Sequence, residues 1–226
     1  MSVISFVNQK GGVGKTSLAL NLAASFAQGG DQVLFIDADP QMSSLDWSTV
    51  RTRPPLFNVV SMPRNTLHSQ LPTLSVNYQW TIIDGPPLAG DVAKSALLAS
   101  DLVVIPVQPS GADKWSTKKI LDLIVEARFY KPNLNAVIAV NRKIVGTAIG
   151  KSFAADFEAD YPGFPVLDTE IGQYVAFAES LTTGATVFEL DPKGAAANLI
   201  QAFADEIKEL LTHEQTDHRS AEAAVR

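Results

Sequence analysis

The 226-residue sequence contains no cysteine. That excludes disulfides, zinc–thiolate sites and iron–sulfur clusters, but it leaves the compartment open, because a chain without cysteine is compatible with any of them. No run of about eighteen apolar residues occurs, so nothing is long enough to span a bilayer as a helix. The first residues lead straight into Val3-Ile4-Ser5-Phe6-Val7. No basic region precedes a long apolar stretch there, which argues against a signal peptide, and a cytoplasmic setting is the expectation. A basic balance is missing as well. The net charge is -6 and the isoelectric point is near 5.0, so any contact with nucleic acid needs a local basic patch.

What is present is apolar sequence in short, ordered pieces. Hydrophobic residues make up 46% of the chain and charged residues 19%, enough to bury a core. Apolar runs at 3–7, 33–36, 56–61, 80–84, 102–105 and 136–140 predict strands. Between them, amphipathic stretches predict helices over 16–28, 42–52, 112–129, 147–159, 172–181 and 193–212. Strands that are apolar throughout and alternate with helices point to an α/β fold, a doubly wound, mostly parallel sheet with helices on both faces. One domain over 1–212 is expected, followed by a polar, Ala-rich tail over 213–226 without structure. Ligands of such sheets sit at the carboxyl ends of the strands, where Lys10, Asp37, Asp39, Asp84 and Asn141 cluster.

The segment Lys10-Gly11-Gly12-Val13-Gly14-Lys15-Thr16-Ser17 follows the first strand and opens the first helix. It departs from the usual phosphate loop in having Gln9 where the first glycine stands. The physics survives that change. Glycines let backbone N–H groups turn inward on phosphates, and the helix start aims its positive end at them. Lys15 is placed to reach the β- and γ-phosphates of ATP and the Thr16 hydroxyl to ligate Mg²⁺.

These residues resemble the deviant Walker A motif of the ParA/MinD family of P-loop ATPases. Phe35-Ile36-Asp37-Ala38-Asp39-Pro40-Gln41, Ile82-Ile83-Asp84-Gly85-Pro86-Pro87 and Val104-Ile105-Pro106-Val107-Gln108-Pro109-Ser110 are similar to its later motifs, so the resemblance runs from residue 2 to about 211. It is nearest to small plasmid-partition ParA proteins of the ParF kind, which implies no second role as a site-specific repressor. The family implies slow ATP hydrolysis, a homodimer formed on ATP, and a centromere-binding or cargo adaptor protein that stimulates turnover.

The resemblance also assigns roles. Lys10 is the lysine that contacts the partner's phosphates across the dimer, the alternative being that it serves only its own loop. Asp39 positions the attacking water, unless it is a plain Asp-Pro turn residue. Asp37 and Asp84 hold Mg²⁺ through water. The Gly85 N–H senses the γ-phosphate. Asn141, with Arg142 beside it, reads adenine or else caps a strand end. Pro106 and Pro109 stiffen a loop at the dimer face.

Basic residues are uneven. Lys114, Lys118, Lys119, Arg128, Lys131, Arg142, Lys143 and Lys151 fall between 114 and 151, opposed there by only Asp122 and Glu126. That is a local excess of six positive charges, so the rest of the chain carries -12, given -6 overall. Such asymmetry suits one face for nonspecific DNA, with Lys114, Lys118, Lys119, Arg142, Lys143 and Lys151 as the candidate contacts. Solvated helix faces, with Lys118 pairing to Asp122, are the plainer reading. A MinD-like membrane ATPase is the alternative function. Those proteins end in a basic amphipathic helix, whereas the stretch from Asn198 to Leu211 is acidic and not terminal, so packing on the sheet and no membrane contact are expected.

Overall fold

A computed structural model of the chain describes residues 1–86, 90–144 and 148–224. Six strands, β1 (Ser2–Phe6), β2 (Val33–Asp37), β3 (Asn58–Ser61), β4 (Trp80–Asp84), β5 (Leu102–Val107) and β6 (Asn135–Val140), form one sheet in the order β3-β2-β4-β1-β5-β6. Every pairing between them is parallel, as expected of strands apolar along their whole length. The chain runs outward from β1 to one edge and later to the other, so the crevice beyond the carboxyl end of β1 is the topological switch point. The phosphate loop lies there.

Nine helices are described: α1 (Lys15–Gln28), α2 (Ser43–Val50), α3 (Leu67–Leu74), α4 (Asp91–Ala99), α5 (Gly111–Arg128), α6 (Ala148–Asp160), α7 (Val175–Thr183), α8 (Val187–Leu190) and α9 (Ala195–Ala224). The two-residue period of β1 sorts its side chains between two cores. Ile4 and Phe6 pack with Leu18, Leu22 and Phe26 of α1 and Phe203 and Ile207 of α9. Val3 faces the opposite core with Leu67 and Leu71 of α3, and Val7 meets that side with Ile120 and Ile124 of α5. Phe203 is fully buried, so Phe203→Ala would cost roughly 3–5 kcal/mol and loosen α9 from the sheet. Gly29 and Gly30 stop α1: the Gly29 N–H caps the Ser25 carbonyl, and Gly30 takes φ 91°, which favours glycine.

The structure adds the single-turn α8, which was not expected, and departs from the sequence expectation at four further points. Helix α3 was not expected, since it contains Pro72 and buries only Leu67 and Leu71. The short α4 was also unexpected, because its buried face is made mostly of the small residues Ala93, Ser95 and Ala96, which leave little apolar periodicity to read. The helix expected to end at 212 continues to Ala224, because neither glycine nor proline interrupts the sequence after Gly194; Val225 and Arg226 lie outside the described residues. The fourth correction concerns Pro106, expected in a loop but buried inside β5. Proline is tolerated there because its missing N–H would point toward β1, whose ladder with β5 ends at Phe6 opposite Val104. The Pro106 carbonyl, on the same side, is taken by the Asn8 side chain at 2.7 Å.

Candidate functional site

The loop between β1 and α1 is held from beneath by two asparagines. Asn8 is buried; its Oδ1 accepts the Lys10 N–H at 3.0 Å while its Nδ2 reaches β5. Asn141, at the end of β6, donates from Nδ2 to the Val13 carbonyl at 2.7 Å. Gly12 and Gly14 have φ 75° and 96°. At Gly14 a side chain is doubly excluded, because a Cβ would lie 2.2 Å from Asn141 Nδ2. No acidic residue occupies the first turn of α1, leaving its orphan N–H groups to an anion.

Lys15 is buried, and burial lowers its pKa; Asp84 and then Asp39 pull it back upward. The Ser17 hydroxyl and Asp84 Oδ1 are buried without a hydrogen-bond partner. Burying unpaired polar atoms is costly, and a triphosphate with its metal would satisfy both. Among the described residues no group of three or more His, Asp or Glu could cage a metal ion. That donor chemistry suits Mg²⁺, which commonly takes one or two protein oxygens and completes its shell with phosphate and water. Thr16 and Asp84 are the residues that fit it.

The three carboxylates differ. Asp84 ends β4 and is fully enclosed. Burial raises its pKa to about 7, while the Ser44 and Thr16 hydroxyls oppose the rise and Asp37 adds to it. Asp37 ends β2; burial raises its pKa too, against the backbone N–H groups of Leu45, Asp39 and Ser44 that hydrogen-bond it. Its Oδ1 accepts from Asp39 at 3.1 Å and its Oδ2 from Ser44 and Leu45, each at 2.9 Å. Asp37 was expected to hold Mg²⁺ through water, but both its oxygens are taken by these backbone N–H groups, so it braces the loop that starts α2. Asp39 makes a turn of its own, its Oδ1 accepting the Gln41 N–H at 2.9 Å.

The Gly85 reading is corrected. Its N–H is spent on the Phe6 carbonyl at 2.9 Å, and a Cβ would stand 2.6 Å from that oxygen, so glycine is there for close approach of β4's exit to β1. Pro87 lies outside the described residues, and Pro109 sits in the bend before α5. Lys10, at the rim, has a side chain 43% exposed and its Nζ 2.5 Å from Asp113 Oδ1 in the first turn of α5. A cleft of about 720 Å³ opens beside the loop, lined by Gly14, Ser17, Asn141, Arg142, Tyr174 and Phe177 among others. That is a normal size for a nucleoside or small ligand. A smaller hollow of about 250 Å³ is lined by Gly12, Lys15, Thr16, Ser43 and Arg142. Arg142 lines both and carries φ 53°, a strained value for a residue with a side chain.

The basic patch is partly neutralised by acids that lie far off in sequence. Lys114 pairs with Asp160 at 2.7 Å, Lys131 with Asp101 at 3.3 Å, and Lys143 with Glu170. Arg128 donates to the Leu134 carbonyl and lies over the Phe164 ring at 5.0 Å. Glu126 is taken by Lys94, and the expected Lys118–Asp122 pair is not formed among the described residues. Lys118, Lys119 and Arg142 stand exposed. The Lys151 side chain lies outside the described residues.

A parallel sheet with a glycine loop at its switch point, a buried lysine and two orphaned buried polar atoms near that loop defines a P-loop nucleotide-binding protein. The chain belongs to the CobQ/CobB/MinD/ParA nucleotide binding domain family, whose model matches residues 4–187. It is similar to the maintenance of carboxysome distribution protein A of Halothiobacillus neapolitanus, with 29% identity over 215 residues, 92% of this chain and 94% of that protein. It is also similar to the chromosome-partitioning ATPase Soj of Thermus thermophilus, with 26% identity over 238 residues, 90% of this chain and 94% of that protein. The fold matches the septum site-determining protein MinD of Pyrococcus horikoshii, solved with Mg-ADP, at a TM-score of 0.74 and 19% identity over 94% of this chain and 98% of that one. The family resemblance drawn from the motifs is thus established, and with it the fold and the general nucleotide-binding ATPase character.

Proposed function

We propose that the chain is a ParA-type positioning ATPase: it closes into a homodimer on Mg-ATP, binds nonspecific DNA in that state, and releases when a cargo-bound adaptor stimulates slow hydrolysis. The observation that carries this reading is the pair of lysines in one loop. Lys15 is buried at the helix start, where one triphosphate needs it, whereas Lys10 stands at the rim with its ammonium turned to α5. A loop that served only its own nucleotide would have no need of a second, outward lysine. Two triphosphates facing each other do need it, because a cation lent by the partner offsets the charge that develops in transfer.

In this scheme the loop N–H groups and Lys15 bind the β- and γ-phosphates. Thr16 and Asp84 would hold Mg²⁺, which would supply positive charge against the phosphate oxygens, and Asp37 braces the loop nearby. Asp39 orients a water toward the γ-phosphorus and accepts its proton, giving ADP and phosphate. Arg142 faces the base and sugar, and Asn141, its Nδ2 spent on the Val13 carbonyl, has only Oδ1 left to offer the base. DNA meets Lys118 and Lys119 first, because Lys114 and Lys143 already have acidic partners and Arg142, also expected at DNA, lines the nucleotide cleft. The cargo is of the plasmid, chromosome or protein-assembly kind.

A membrane role is disfavoured by where the amphipathic stretch goes. Ile200, Phe203, Ile207 and Leu211 are buried against the sheet, and among the described residues no helix is long and apolar enough to cross a membrane. The protein is expected in the cytoplasm, on the nucleoid when ATP-bound. Phosphate release with and without nonspecific DNA tests the reading, together with Asp39→Ala. That variant should hold the ATP dimer on DNA, and turnover equal to the unchanged protein would refute the role of Asp39.

A further inference from the structure

Ser44 lies in the first turn of α2 and is fully buried. Its Oγ donates to Asp84 Oδ2 at 2.7 Å, and its N–H donates to Asp37 Oδ2 at 2.9 Å. One residue on a helix thereby ties together the carboxylates at the ends of β2 and β4. The other oxygen of Asp84, Oδ1, is buried with no hydrogen bond of ordinary geometry, although the Thr16 hydroxyl is near enough to favour the charged carboxylate. Rotating the Asp84 carboxylate away from this plane would break the Ser44 bond in a place that water does not reach, and a lost bond to a buried polar group is costly.

We propose that Ser44 is a positioning residue of the magnesium–nucleotide site: by anchoring Oδ2 it fixes the orientation of Asp84 and leaves Oδ1 to receive the metal's hydration water. The proposal rests on the nucleotide-switch reading above and deepens it. It also makes α2 a mechanical neighbour of the metal. The loop 38–42 that leads into α2 carries Asp39, and Met42 at its end is held at φ 56°. A shift of α2 therefore moves the Ser44 hydroxyl and the Asp84 carboxylate together. Groups that orient a metal-holding carboxylate typically matter 10- to 100-fold in metal affinity, although they never touch the ion.

A plain structural tie between α2 and β4 would behave differently, and titration calorimetry separates the two. ADP affinity is measured with Mg²⁺ and with EDTA for the unchanged protein, Ser44→Ala and Ser44→Cys, the last being nearly isosteric but a weak donor. Both variants should bind ADP in EDTA within about twofold of the unchanged protein and lose roughly tenfold of the gain that Mg²⁺ confers. A full magnesium gain in either folded variant overturns the proposal. So does an equal loss in both conditions, which marks a structural tie only. If Ser44→Ala does not fold, Ser44→Cys decides alone. An unchanged protein with no magnesium gain at all would instead refute the nucleotide-switch reading itself.

Discussion

The Lys10 ammonium lies 2.5 Å from Asp113 Oδ1, joining the phosphate loop to the first turn of α5. Asp113 is buried, and its Oδ2 accepts the Ser110 hydroxyl at 2.8 Å. The lysine is 43% exposed, so the pair is screened and worth about 1 kcal/mol. That is enough to hold Lys10 in a defined place within one subunit and too little to stop it from reaching a partner's phosphates.

Lys10→Ala should therefore keep ATP binding and lose ATP-dependent dimerisation, as read by light scattering. Asp113→Asn keeps an acceptor for Ser110 but removes the charge, and it should dimerise at roughly thirtyfold lower protein concentration, the equivalent of about 1 kcal/mol in each of the two subunits. A dimer unaffected by Lys10→Ala would return Lys10 to its own loop.

Lys15→Ala should reduce nucleotide affinity by about a hundredfold or more, since at least two charge-assisted hydrogen bonds of roughly 1.5–3 kcal/mol each are lost. Titration with a fluorescent nucleotide reads this directly. Affinity near that of the unchanged protein would contradict the assignment of the phosphate loop.

Asp84 gives a pH signature to the nucleotide-free protein. Its pKa is raised from 3.8 to about 7, so the folded state holds a proton that the unfolded state gives up. The stabilisation is complete below pH 3.8 and is lost as pH rises through about 7. Asp84→Asn cannot ionise and should melt higher than the unchanged protein at pH 8 in EDTA, by at most about 4 kcal/mol of stability, with the advantage shrinking toward pH 4. The same variant should lose magnesium-dependent hydrolysis. Equal melting at pH 8 would show that the buried carboxylate is not the strained group.

What the sequence made legible was local. Lys10 through Ser17 could be identified because spacing, a preceding apolar strand and a following helix all bear on adjacent residues. The strands were legible because apolar runs buried on both sides leave few alternatives. Asn8, Ser44 and Asp113 were missed for one reason: each acts on a residue brought near only by the crossing of loops at the sheet's carboxyl edge. Asn8 meets Pro106, Ser44 meets Asp84 and Asp113 meets Lys10. The same blindness overstated the basic patch, since Asp160 and Glu170 lie outside the segment whose charges were counted.

Lys118 and Lys119 are exposed, whereas Lys114 and Lys143 are ion-paired. Replacing Lys118 and Lys119 by Ala should weaken DNA binding by the ATP-bound protein about tenfold and lower the steepness of its salt dependence by roughly two counterions. Lys114→Ala and Lys143→Ala should each do less. Equal effects from all four, measured by fluorescence anisotropy across a salt series, would place the DNA elsewhere.

The claim on which the account depends is closure of two subunits around two nucleotides. Sedimentation of the 24.2 kDa chain, saturated with Mg²⁺ and a nonhydrolysable ATP analogue, tests it most directly. The account predicts a dimer with the analogue and a monomer with ADP. A single subunit under saturating analogue would contradict it, even with the nucleotide fully bound.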